Sequence, residues 1–85
     1  MEEFYELIEN KILEGGYKGE VSGYDIYNEI SDEIEDKENG TYIFMSKKSD
    51  TVYFEYKIEI FDEQFNLSYI DIHDNDAVYH IDFDK

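Results

Sequence analysis

In 85 residues the chain sets twenty-three Asp and Glu against seven lysines and no arginine, a formal net charge of −16, while its fifteen Tyr and Phe make it too aromatic for a disordered acidic tail. The absence of cysteine excludes disulfides, thiolate metal sites and a cysteine nucleophile, and the shortage of cations argues against binding nucleic acid or an anionic membrane. Charge of this size opposes the compact state by self-repulsion, so it points to a partner with a basic surface.

The first helix is expected over residues 2–14, where Phe4, Leu7, Ile8 and Ile12 recur at helical spacing, Glu2 and Glu3 suit the positive N-terminal dipole, and Gly15-Gly16 ends the run. The acidic start Met1-Glu2-Glu3-Phe4 is unlike a secretion signal, and no apolar run approaches the ~18 residues of a membrane span. A soluble protein of the cytoplasm is therefore the expectation. Residues 17–23 read as a connector with room for a short edge strand. Ser22 offers an N-cap for a second helix over about residues 24–37, with Ile26, Tyr27, Ile30 and Ile34 as its apolar stripe and Asn39-Gly40 as its stop.

From Thr41 the period changes to alternation, which signals strands. The first is expected over 41–46, with Tyr42/Phe44 and Ile43/Met45 equally suited to face the core. In the second, Val52, Phe54, Tyr56, Ile58 and Ile60 alternate with a wet face. The third and fourth are expected near 66–73 and 77–83. A two-residue turn at Asn75-Asp76 sets Ile72 opposite Tyr79, Ile70 opposite Ile81 and Asp71 opposite His80. A three-residue loop at residues 63–65 sets Ile58 opposite Ile70, Tyr56 opposite Ile72, Lys57 opposite Asp71 and Glu55 opposite His73. The fold class is α+β: one domain over residues 1–85, with two N-terminal helices packed on one face of a four-stranded antiparallel β meander.

Two surfaces stand out as partner-binding candidates. On the second helix Asp25, Glu29, Asp32 and Asp36 are spaced by four, three and four, a stripe about 16 Å long at 1.5 Å per residue, and Glu33 broadens it. Like charges at this spacing cost a helix a few tenths of a kcal/mol each, and only Lys37 offers relief. The outer sheet face is expected to show Glu55, Glu59, Asp71, Asp82 and Asp84 among Tyr53, Phe61, Tyr69 and Val78, and carboxylates interleaved with aromatics suit a protein interface. His73 and His80 beside Asp71 and Asp82 are better read as exposed imidazoles among carboxylates than as a metal site. Asp74-Asn75-Asp76 lacks the glycine and distal glutamate of a calcium loop and reads as a turn. No phosphate loop, dinucleotide fingerprint or nucleophile elbow is present, so an enzyme, a cofactor and a metal are not expected.

In size, charge and element order the chain resembles phage-type DNA-mimic inhibitors: anti-restriction proteins, anti-CRISPR proteins and the uracil-DNA glycosylase inhibitor. The last is likewise a short acidic chain with helices before an antiparallel sheet. No motif is shared, so no residue role carries over. The resemblance implies an acidic decoy for a basic nucleic-acid-binding protein, first an anti-CRISPR protein blocking a CRISPR effector nuclease, as monomer or homodimer. Alternatives are an immunity protein that neutralises a toxin nuclease, or an interaction module that uses its aromatic sheet face.

Overall fold

A computed structural model describes residues 2–83. Two helices, α1 (Glu2–Glu14) and α2 (Gly23–Ile34), precede four strands: β1 (Gly40–Lys47), β2 (Val52–Phe61), β3 (Gln64–Asp74) and β4 (Ala77–Asp82). The strands form one antiparallel sheet in sequence order.

α1 turns Ile8 and Ile12 fully into the core, while Leu7, expected on the same face, is exposed at its edge. Gly16, at φ 98°, supplies the left-handed residue that ends the helix. Residues 17–22 form an irregular connector and no edge strand. At the start of α2, Ser22 Oγ accepts from the Asp25 amide at 3.3 Å, as the capping pattern requires. α2 ends at Ile34, three residues before the expected boundary, and its last turn holds no basic residue. Acidic side chains crowd this negative end of the helix dipole, which disfavours extension.

The helices touch most closely at Gly23, where a Cβ would lie 2.1 Å from the Tyr5 carbonyl oxygen. Only glycine fits there. Its amide donates to Glu9 Oε2 at 2.7 Å, so a carboxylate of α1 satisfies an orphan donor at the start of α2. Tyr5 meets Tyr24 and Tyr27 edge-on, at 5.4 and 5.5 Å between centroids, a geometry that favours aromatic pairs.

In the sheet the last hairpin has the expected register, with Ile72 opposite Tyr79, Ile70 opposite Ile81 and Asp71 opposite His80. The β2–β3 register differs by two residues: Ile70 faces Tyr56, Ile72 faces Phe54, Asp71 faces Glu55 and His73 faces Tyr53. The expected three-residue loop is instead a two-residue turn, Asp62-Glu63, with φ of 50° and 65°, the sense that matches strand twist. A bulge between Leu67 and Tyr69 then adds one residue. It lets Phe65 and Leu67 share the core side with Ile70 and Ile72, although the two pairs differ in parity. The first hairpin places Tyr42 opposite Ile58 and Phe44 opposite Tyr56 on the core side, leaving Ile43 and Met45 exposed.

The core joins Ile8 and Ile12 of α1, Ile26 and Ile30 of α2, and Tyr56, Ile58, Ile70 and Ile72 of the sheet. Both helices therefore cover one sheet face, and the other is open. No helix among the described residues is long and apolar enough to cross a membrane.

Candidate protein-binding surfaces

The first 39 residues carry thirteen acidic residues against three lysines. On the solvent side of this helical layer Glu3, Glu6, Glu14, Glu20, Asp25, Asp32, Glu33, Glu35, Asp36 and Glu38 are all exposed. Of the three lysines, Lys18 is exposed, Lys11 reaches the sheet and Lys37 pairs within the layer. Lys11 Nζ donates to the Asp82 carbonyl at 3.3 Å, and Lys37 lies 3.9 Å from Glu33 and 5.5 Å from the Tyr42 ring centre. Asp25, Asp32 and Glu33 thus hold the outward positions expected of them, whereas Asp36 lies past the end of α2 in the following turn. The surface extends beyond the expected stripe because α1 adds its own acidic residues alongside.

Glu29 is not part of that stripe. Its carboxylate turns onto the sheet, where Oε1 accepts from Tyr56 OH at 2.7 Å and Lys48 Nζ at 2.8 Å, and Oε2 accepts from Ser46 Oγ. Partial burial pushes the Glu29 carboxyl upward, but the bonds from Lys48, Ser46 and Tyr56 and the Lys48 charge outweigh it and hold it below the usual carboxylate range. Tyr56 is fully buried, and burial, followed by its bond to charged Glu29, raises its hydroxyl far above the ordinary tyrosine range. Glu29 therefore holds α2 to β1 and β2 by satisfying a core hydroxyl.

The open sheet face carries the expected residues Glu55, Glu59, Asp71 and Asp82, while Asp84 lies outside the described residues. Glu55 Oε2 accepts from Tyr69 OH at 3.0 Å, and Asp71 Oδ1 is bonded to His80 Nδ1. The bond to Glu55 leads the causes that raise the Tyr69 hydroxyl. His73 stacks on Tyr53 at 4.3 Å, nearly parallel, so the two imidazoles serve different neighbours. Lys57 stands within the face, opposite Ile43 and Tyr69. Tyr53, Phe61 and Val78 are exposed as expected, and Ile43 and Met45 join them. The face is mixed and aromatic where the helical layer is acidic.

An open groove is lined by Phe4, Tyr27, Ile34 and Phe65 together with Glu35, Glu63 and Lys37. Among the described residues no group of three or more His, Asp or Glu side chains is placed to hold a metal ion. Comparison with protein-family models, curated proteins and solved structures finds no match.

Proposed function

We propose that this is a binding protein, not an enzyme, whose acidic helical layer occupies the basic groove of a nucleic-acid-binding protein and blocks it; a CRISPR effector nuclease is the first candidate target. The observation that carries this reading is the row of exposed carboxylates on α1, α2 and the turn after α2, a layer in which three lysines stand against thirteen acidic residues and, among the described residues, only Lys37 is paired with a member of the row, Glu33. A stabilising surface would mix signs, since like charges at helical spacing cost free energy. Fixed carboxylates aimed outward instead steer a basic partner and speed its association. The groove beside the layer adds the rings of Phe4, Tyr27 and Phe65 together with Glu35, Glu38 and Glu63, against Lys37 as the single cation among the described residues that line it.

The test is displacement. A cell lysate is loaded on immobilised DNA and the column is eluted with this protein, then with a variant carrying Asp25, Asp32, Glu33 and Asp36 reversed to lysine. Wild type is expected to release a DNA-binding protein that the variant leaves bound. It is also expected to inhibit cleavage by that protein or by a purified CRISPR effector nuclease, with added DNA competing. If the two proteins elute the same set, and neither inhibits cleavage, the decoy reading fails. A toxin nuclease among the released proteins would favour the immunity role, which uses the same chemistry.

A further inference from the structure

β1 is an edge strand whose one charged residue is the terminal Lys47, so most of its length lacks the usual devices against pairing. From Asn39 to Ser46 the chain runs eight residues without a charged side chain, its longest such stretch. There is no proline, and its register with β2 runs unbroken from Gly40 to Lys47, so no bulge turns the edge away. Ile43 and Met45 are 57% and 63% exposed. The opposite edge is guarded. β4 is six residues long, ends in Asp82, and has the Asp82 carbonyl occupied by Lys11 Nζ at 3.3 Å.

We infer that β1 pairs with β1 of a second copy, antiparallel about a two-fold axis at Ile43, so that two sheets become one. Opposed residues in an antiparallel pair share a face, so only registers matching like parities keep Tyr42 and Phe44 of both copies on the helical side. An axis at Ile43 sets Phe44 opposite Tyr42, Met45 opposite Thr41 and Lys47 opposite Asn39 of the second copy. Lys47, whose side chain is 73% exposed and 4.0 Å from Asp50, then lies next to Glu38 of that copy, which is exposed. The ends are complementary in charge and the middle is neutral. Through the helical layer, by contrast, a second copy meets acid with acid. Pairing here also sets both helical layers on one side of the joined sheet, although the inference does not depend on the decoy reading.

Sedimentation velocity on the whole chain tests this at about 0.1 M and 1 M salt, between which the screening length falls from about 10 to about 3 Å. Wild type is expected to sediment with twice the 10.2 kDa chain mass, with a larger dimer fraction at high salt as repulsion between copies is screened. Ile43→Lys places like charges opposite each other and is expected to be monomeric at both salts with unchanged circular dichroism. In a chain with no cysteine, a short bis-maleimide should crosslink Ile43→Cys and leave Val78→Cys on β4 uncrosslinked. Monomeric wild type at both salts, Ile43→Lys dimers like those of wild type, or equal crosslinking through Val78→Cys would each overturn the inference.

Discussion

The helical layer and the open sheet face are both rich in carboxylates, yet the chain treats them differently. On the sheet, Glu55 accepts from Tyr69 and Asp71 is bonded to His80 across adjacent strands. On the helices, Asp25, Asp32 and Asp36 stand exposed, and the nearby lysines Lys11 and Lys37 turn toward Asp82, Glu33 and Tyr42. Formal charge thus overstates what the sheet can offer a partner and describes the helical layer better. A strand brings side chains of different segments opposite each other, where they find complements. An outward helix stripe meets only its own sequence, and this sequence supplies acids.

The largest contrast is between neighbours on β2 that face opposite ways. Ile58→Asp buries a charge where the isoleucine is fully enclosed and is expected to cost about 5 kcal/mol or more, most of the stability of a small domain. Lys57→Asp, one residue away on the open face, is expected to leave the fold intact by circular dichroism. A folded Ile58→Asp would break the assignment of faces on which the comparison rests.

Two acids of α2 sharpen it further. Glu29→Ala strips the partner from the buried Tyr56 hydroxyl and is expected to cost about 1–3 kcal/mol in urea denaturation. Asp32→Ala, exposed and three residues on, is expected to stay within about 0.5 kcal/mol of wild type. Equal effects would mean that both acids do the same job.

Salt gives a smaller effect on the whole molecule. Screening the exposed carboxylates of the helical layer is expected to raise the melting temperature by a few degrees between low and moderate ionic strength. A flat or falling response would show that these charges are compensated.

The smallest effect is a difference in pH dependence. Because the folded-state pKa of Glu29 is depressed, its contribution is fully present above the unfolded carboxylate value of about 4.3 and disappears as pH falls through the lower folded value. Glu29→Gln is therefore expected to be less stable than wild type at neutral pH and to lose less of its stability on acidification through that window. Identical acid limbs for the two proteins would contradict the placement of Glu29.

Much of the architecture was legible in the sequence because periodicity and turn chemistry agree locally. The Ser22 cap, the glycines after α1 and the Asn75-Asp76 turn each act within a few residues. The β2–β3 register was missed by two residues, although its signal is present: the apolar positions switch from Phe65 and Leu67 to Ile70 and Ile72, and such a change of parity requires one extra residue. Which side of β1 faces the core was not legible, since Tyr42/Phe44 and Ile43/Met45 are similarly apolar. Contacts with other elements settle it: Phe44 packs on Tyr56 at 5.0 Å between centroids, and Tyr42 packs against the core. Glu29 could not be told from Asp25 or Asp32 for the same reason. It flanks the apolar stripe just before Ile30, but its partners Ser46, Lys48 and Tyr56 lie 17, 19 and 27 residues away. Of the four stripe positions, the one with the most local structure around it was the least visible.

The central claim is that the helical layer, and not the open face, presents charge to a partner. It is tested most directly by measuring, as a function of salt, the affinity of the DNA-displaced partner for wild type and for two charge-reversed variants. One carries lysine at Asp25, Asp32, Glu33 and Asp36, and the other carries lysine at Glu55, Glu59, Asp71 and Asp82. The account predicts binding that weakens steeply with salt for wild type, is lost in the helix variant and is largely kept in the sheet variant at unchanged salt dependence. Binding kept by the helix variant and lost by the sheet variant would contradict it.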